Sequence, residues 1–248
     1  MSHKIHSFDC NLMLPADSDE GFECLEEPGP ILKIAPEAAS PIDVKHRPVK
    51  RFFDILFSLL ILILGTPFFL LLAIAIKLTS RGPVFYKQER VGRGGKLFRC
   101  YKFRTMVPDA EACRQRLVEA NPELHDEWSR NRKLKNDPRI TLLGAFLRKT
   151  SLDELPQFWN VLKGDLSVVG PRPVVVDEVI EHFGSKAEKI LSVRPGITGL
   201  WQVSGRSNIT YPKRLQLDEQ YVDDFSMILD LKLIARTIPA ILFPDGAY

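Results

Sequence analysis

The hydropathy pattern along the chain is dominated by one feature. Residues 55–76, ILFSLLILILGTPFFLLLAIAI, form a run of 22 positions without a charge. A straight helix of that length spans roughly 30 Å, the thickness of a bilayer's hydrocarbon core. Buried helices of water-soluble domains are seldom so long and so uniformly apolar, so the pattern predicts membrane insertion. Gly65-Thr66-Pro67 sits at the midpoint, and proline removes a backbone hydrogen bond and crowds the preceding turn. Lys45, Arg47, Lys50 and Arg51 precede the run, and Lys77 and Arg81 follow it. Basic flanks mark the cytoplasmic side of a membrane, and here both ends carry them. The expectation is a re-entrant helix-break-helix over residues 46–82, rather than a kinked single span. Thr66 supplies a hydroxyl for backbone groups that Pro67 leaves without partners.

The remaining periodicities are shorter. Residues 84–91 and 96–103 are β-favouring runs around Gly92-Arg93-Gly94-Gly95, which predicts a β-hairpin. A nucleotide phosphate loop needs Ser or Thr after its lysine, and Leu97 follows Lys96, so these glycines read as turn residues. Helical spacing over residues 108–135 is interrupted by a turn at Asn121-Pro122 and ends in a basic cluster at 130–135. That cluster reads as a solvated face or, second, as an attraction to anionic lipid. Residues 225–243 carry only Asp230, Lys232 and Arg236. They fit an amphipathic helix at a membrane interface, and a core helix nearly as well. The fold class predicted is α+β, mainly helical.

Composition changes the picture in one respect. A chain of 248 residues, 45 % apolar and 26 % charged, is not disordered as a whole and is not a disulfide scaffold. Its net charge of +3 hides a split. Residues 1–44 hold two basic and nine acidic side chains, whereas the remaining 204 hold 32 basic and 22 acidic. An acidic tail over residues 1–45 therefore precedes a body of net +10 that meets anions. The tail is proline-rich and aperiodic and is expected to be disordered; its Asp17-Ser18-Asp19 matches a D-x-D metal motif by chance. Cys10, Cys24, Cys100 and Cys113 show neither C-x-x-C nor zinc spacing and read as reduced structural thiols. No signal-peptide pattern precedes the apolar run, and no nucleic-acid motif accompanies the basic residues.

The chemistry concentrates in residues 148–173, RKTSLDELPQFWNVLKGDLSVVGPRP. Ser151-Leu152-Asp153-Glu154 matches a capping box before an apolar helix, and Lys163-Gly164 supplies a stop signal, so one reading is a well-capped helix and nothing more. The other reading starts from adjacent carboxylates at a helix N-terminus, where free N–H groups favour a phosphate. Arg148, Lys149 and Arg172 then neutralise phosphate oxygens. Asp153 serves as a nucleophile, as carboxylates do in aspartyl-phosphate chemistry. Glu154 holds Mg²⁺, which takes one or two carboxylates together with substrate phosphates.

Five segments taken together carry a resemblance: Gly82–Phe85 with Gln88–Gly92, Tyr101–Met106, Arg148–Asn160, Lys163–Ser167 with Val169–Pro173, and Arg194–Gln202. In this combination the chain resembles the bacterial sugar transferases called monotopic phosphoglycosyl transferases, over residues 50–248, and looks most like those that prime exopolysaccharide synthesis with galactosyl phosphate. The resemblance implies transfer of a sugar-1-phosphate, galactose or glucose, from a UDP-sugar to undecaprenyl phosphate with release of UMP. It implies Asp153 as nucleophile, Glu154 as its partner and Mg²⁺ ligand, and Arg148 and Lys102 as phosphate-binding residues. Pro171, Arg172 and Pro173 would form part of the nucleotide or phosphate site. It further implies a monotopic protein on the cytoplasmic face of the bacterial inner membrane, with Thr66-Pro67 at the break and residues 83–248 as a catalytic domain bearing interfacial helices. The implied partners are UDP-sugar, undecaprenyl phosphate, membrane lipid and a second copy in a homodimer, with no nucleic acid. Two alternatives stand beside this: Asp153 acting only as a base in a ternary complex, and a membrane-bound scaffold of polysaccharide assembly with a degenerate site.

Overall fold

The structure, a computed structural model, describes residues 48–131, 134, 137–205 and 209–242. The acidic segment, with Asp17-Ser18-Asp19, Cys10 and Cys24, lies outside the described residues, as do the basic side chains of the 130–135 cluster.

The apolar run forms the body of α1 (Pro48–Thr79), 32 residues long. The helix continues through Pro67 instead of breaking there. The Thr66 hydroxyl donates to the Leu62 carbonyl at 2.6 Å, a back-bond that bends a helix without ending it. The carbonyl that Pro67 deprives is that of Ile63, so the hydroxyl serves the neighbouring position. Only 11 % of the most apolar window of α1 is buried, which is not the burial of a soluble core helix.

Both halves of α1 nevertheless touch the same body. Near the N-terminus Asp54 and Ser58 are buried, and Phe57, Ile61 and Leu62 pack on a core of Phe158, Val161, Leu166, Tyr221 and Leu233. Near the C-terminus Leu72 and Ile76 are buried against Phe103 and Leu147. Leu60, Ile63, Leu64, Leu70, Leu71 and Ile74 are exposed.

The hairpin forms as the sequence predicts. β1 (Phe85–Val91) pairs antiparallel with β2 (Leu97–Phe103), in register from Phe85 opposite Phe103 to Val91 opposite Leu97. The turn at Asn121-Pro122 also appears, between α2 (Ala110–Ala120) and α3 (Pro122–Asn131). There the Asn121 side-chain oxygen accepts from the Glu123 and Leu124 N–H groups at 2.9 and 3.4 Å. α4 (Leu142–Lys149) is capped by the Thr141 hydroxyl, which accepts from the Gly144 N–H. α5 (Gln157–Lys163) ends at Gly164, whose φ of 92° is left-handed and suits glycine.

A second sheet was not foreseen. β3 (Ser167–Val169) pairs in parallel with β4 (Gly196–Thr198), and the crossover holds α6 (Val176–Glu178) and α7 (Ala187–Leu191). These strands are three residues each, too short for an alternation to show. α8 (Tyr211–Asp223) and α9 (Met227–Leu242) complete the body. α9 buries Asp230 and Leu233 while exposing Ile228, Leu231 and Ile238.

Candidate active site

The acid pair is held by a turn that the local sequence makes under tension. α4 lies hard against the segment after β2: a Cβ on Gly144 would stand 2.0 Å from the Thr105 carbonyl oxygen. Leu147 is fully buried and fixes the helix in rotation. α4 then stops, and Ser151 takes φ 56°, the one non-glycine residue with positive φ among the described residues. Such backbone is uncommon for serine and concentrates at functional sites. Leu152–Glu154 form a single 3₁₀ turn before Pro156 and α5.

This overturns the capping box. Ser151 makes no side-chain cap hydrogen bond, and the Glu154 side chain turns to Lys102. The carboxylates lie on this separate 3₁₀ turn and not in the first turn of α5. The Glu154 and Leu155 N–H groups are bonded to the Ser151 and Leu152 carbonyls, and those of Phe158 and Trp159 to Leu155 and Pro156. A positive φ at Ser151 is invisible to residue spacing, which is why the capping pattern misled.

Side-chain cations take the place of the helix terminus. Lys102, on β2, donates to Glu154 Oε1 at 2.7 Å and stands 3.9 Å from Asp153 Oδ2. Arg172 lies 3.7 Å from Glu154 Oε1. Asp153 is buried and accepts no hydrogen bond among the described residues. Arg148 donates to the Thr105 hydroxyl at 2.9 Å and adds its charge to the field at Asp153 without an ion pair to it. Arg90, Cys100, Gln157 and Pro173 join Lys102, Glu154 and Arg172 around a cleft of ≈ 240 Å³.

The two carboxyls are driven apart electrostatically. Burial pushes Asp153 up to about 6, against the opposing pull of Lys102. Burial would raise Glu154 too, but Lys102 and Arg172 outweigh it and hold that carboxyl below the usual range. Two adjacent acids with divergent proton affinities are a signature of divided chemical roles. Cys100, in the same cleft, is pushed up to about 11 by burial and stays a neutral thiol.

Of the residues that the sequence singled out, Asp153, Glu154, Lys102 and Arg172 meet at one point. Pro171 is buried and acts through its backbone, its carbonyl accepting from the Gly196 N–H at 2.7 Å. Pro173 lines the cleft, and its carbonyl accepts from Arg90 at 3.4 Å. Thr66 and Pro67 lie mid-way along α1, away from this cleft. Sequence reasoning missed the wall behind Arg172. Arg172 and Arg214 stack over the Trp201 ring at 5.7 and 4.8 Å. Arg90, Arg214 and Tyr211 converge on Glu178, Tyr211 donating at 3.0 Å. Beside them Asp218 is buried and pushed up to about 7 by that burial, with one oxygen unpartnered. Arg90, Trp201 and Gln202 fall inside segments that carry the resemblance, but Glu178, Arg214 and Asp218 lie outside them. Arg90 comes from β1, Glu178 from the parallel crossover, and Arg214 and Asp218 from α8.

Comparison with known proteins matches a family profile described as bacterial sugar transferase to residues 45–244. The chain belongs to this family. Among its relatives, the exopolysaccharide production protein ExoY of Sinorhizobium fredii is 46 % identical over 199 residues, 80 % of this chain and 88 % of that protein. An undecaprenyl-phosphate galactose phosphotransferase of Salmonella typhimurium is 48 % identical over 201 residues, 81 % of this chain but 42 % of that protein. A UDP-glucose:undecaprenyl-phosphate glucose-1-phosphate transferase of Klebsiella pneumoniae is 40 % identical over 213 residues, 83 % of this chain and 42 % of that protein. The family match takes in α1, the hairpin and the acid pair; the acidic segment up to residue 44 falls outside it.

Proposed function

We propose that the chain is a polyprenyl-phosphate phosphoglycosyl transferase that moves a sugar-1-phosphate from a UDP-sugar to undecaprenyl phosphate and releases UMP, as the priming step of exopolysaccharide synthesis. The observation that carries this reading is the acid pair, in which buried Asp153 accepts no hydrogen bond among the described residues and Glu154 is clamped by Lys102 and Arg172. A carboxylate without a hydrogen-bond donor beside fixed cations is suited to attack a phosphorus atom whose charge those cations offset.

The steps balance as follows. An Asp153 oxygen attacks the sugar-bearing phosphorus of the UDP-sugar. The bond from that phosphorus to the bridging oxygen breaks, and UMP leaves with the electron pair. The Asp153 acyl phosphate then carries the sugar. A phosphate oxygen of undecaprenyl phosphate attacks the same phosphorus, expels the Asp153 carboxylate and forms the diphosphate link. Lys102, Arg172 and Arg148 hold the phosphate oxygens, and phosphoryl transfer asks mainly for such positioning and neutralisation. Mg²⁺ fits the donor set: one Glu154 oxygen takes the cations, the other has no partner among the described residues, and this ion is satisfied by a single carboxylate plus substrate phosphates. When bound it offsets negative charge on the diphosphate. The wall of Trp201, Arg214 and Asp218 flanks Arg172 on the donor side. Galactose is the first choice of sugar and glucose the second.

The membrane arrangement belongs to the same reading: a re-entrant α1 holds the catalytic body on the cytoplasmic face of the inner membrane. The support is that both halves of α1 pack on one body while the apolar side chains between them face outward. A helix so attached at both ends does not put them on opposite sides of a bilayer.

The test is UMP release from a panel of UDP-sugars with undecaprenyl phosphate as acceptor. Turnover with UDP-galactose or UDP-glucose is expected. Absence of turnover with every UDP-sugar, in a folded protein supplied with Mg²⁺, would favour the scaffold reading.

A further inference from the structure

A second cleft, of ≈ 430 Å³, opens at the far end of α5 from the acid pair. Lys50, Arg51, Asp54, Arg93, Arg194 and Phe225 are among the residues lining it. Its charges do not cancel. Asp54 accepts from the Ser167 hydroxyl and the Val168 N–H at 3.1 Å each and stands 3.5 Å from Lys50. Asp230, behind it, accepts from Lys50 at 2.7 Å and from the Tyr221 hydroxyl at 2.9 Å. Both acids are thus satisfied and shielded from solvent.

The three arginines form no ion pair among the described residues. Arg51 donates to the Val161 and Leu162 carbonyls at 2.6 and 2.9 Å, and Arg194 to the Gly164 carbonyl at 2.8 Å. Arg93, in the hairpin turn, has no side-chain hydrogen bond among the described residues. Burial lowers Arg194, and the charges of Arg93 and Arg51 lower it further against the pull of Asp54, so both guanidinium groups repel Arg194 across the cleft. Buried or half-buried cations in such surplus call for an anion. Beyond the cleft's own lining, Val49 and Phe52, next in sequence to Lys50 and Arg51 on α1, are exposed, as is Ile228 at the start of α9.

We propose that this cleft binds the phosphate of an anionic phospholipid, held by Arg51, Arg93 and Arg194, with the acyl chains lying against the exposed face of α1. A soluble phosphate would satisfy the arginines but leave these exposed apolar side chains uncovered. The site is separate from the reacting phosphates and rests on the membrane reading given above. It would secure the point where the membrane helix joins the body.

Native mass spectrometry of the full chain in detergent, with phosphatidylglycerol or phosphatidylcholine added, reads the site directly. The wild type is expected to retain phosphatidylglycerol in preference to phosphatidylcholine. Arg93→Gln, which removes no side-chain hydrogen bond or ion pair found among the described residues, should weaken that retention about fivefold. Lys213→Gln, an exposed lysine on α8, should leave it unchanged. Equal retention by Arg93→Gln and wild type, equal weakening by Lys213→Gln, or displacement of the lipid by millimolar inorganic phosphate would each overturn the proposal. Flotation on neutral phosphatidylcholine vesicles tests the membrane reading by itself: the wild type and Arg93→Gln should float alike. Failure of both to float counts against insertion of α1 and leaves the retention result to decide the cleft.

Discussion

Two buried acid pairs sit at opposite ends of α5, each attended by one lysine, and they are used differently. At one end Lys50 serves Asp54 and Asp230. Those carboxylates also take a serine hydroxyl, a backbone N–H and a tyrosine hydroxyl. At the other end Lys102 serves Glu154 and Asp153, but it bonds only Glu154, and Asp153 receives no donor among the described residues. Lysine and burial are common to both pairs, so neither marks function. What separates them is whether the protein itself completes the carboxylate's hydrogen bonds. A completed pair ties α1, β3 and α9 together; an incomplete one keeps an oxygen for a substrate.

The largest effect should come from breaking the incomplete pair. Asp153→Asn is expected to lower UMP release at least about a thousandfold, since it removes a group that bonds to the reacting phosphorus. If turnover survives, Asp153 is not the nucleophile. Breaking the completed pair should instead cost stability. Asp54→Ala leaves the Val168 N–H buried without its acceptor and is expected to destabilise the fold by roughly 3 kcal/mol in denaturant unfolding.

Removing charge from the incomplete pair should have the opposite sign. Asp153 has its proton affinity raised from 3.8 to about 6 by burial, so its ionisation works against the fold. Wild-type stability falls as pH rises through that window, and a neutral Asn at 153 escapes the loss. In metal-free buffer the variant should match the wild type near pH 4 and exceed it by about 2 kcal/mol above pH 7. A loss of stability in Asp153→Asn at neutral pH would make Asp153 structural after all. The smallest effect is Tyr221→Phe, which removes the hydroxyl serving Asp230 at 2.9 Å and is expected to cost about 1 kcal/mol with donor affinity unchanged.

The sequence made the acid pair legible and hid what the pair does. Asp153 and Glu154 are adjacent and flanked by Arg148 and Lys149, so a site could be read locally. The hairpin was equally plain, because two β-favouring runs surround glycines. The cations that complete the site come from β2 and from the turn after β3, and only the resemblance linked Lys102 to it. Glu178, Arg214 and Asp218 reach the wall from a parallel crossover between three-residue strands and from α8, and neither leaves a local trace that links them. The capping box failed because Ser151 adopts a backbone conformation that its spacing gives no hint of. Along α1 the proline was read as a break, whereas the helix runs on past it. Asp54, three residues after Arg51, drew no notice in the sequence and is a buried anchor of the apolar run to the body.

The most direct test of the account uses only the donor. The purified wild type is incubated with UDP-galactose or UDP-glucose and Mg²⁺, with no polyprenyl phosphate, then quenched in acid and weighed intact. The account predicts a mass gain of one hexose phosphate with release of one UMP, lost in Asp153→Asn and discharged when undecaprenyl phosphate is added. No mass gain, with UMP appearing only when both substrates are present, would contradict it and leave Asp153 as a base in a single displacement.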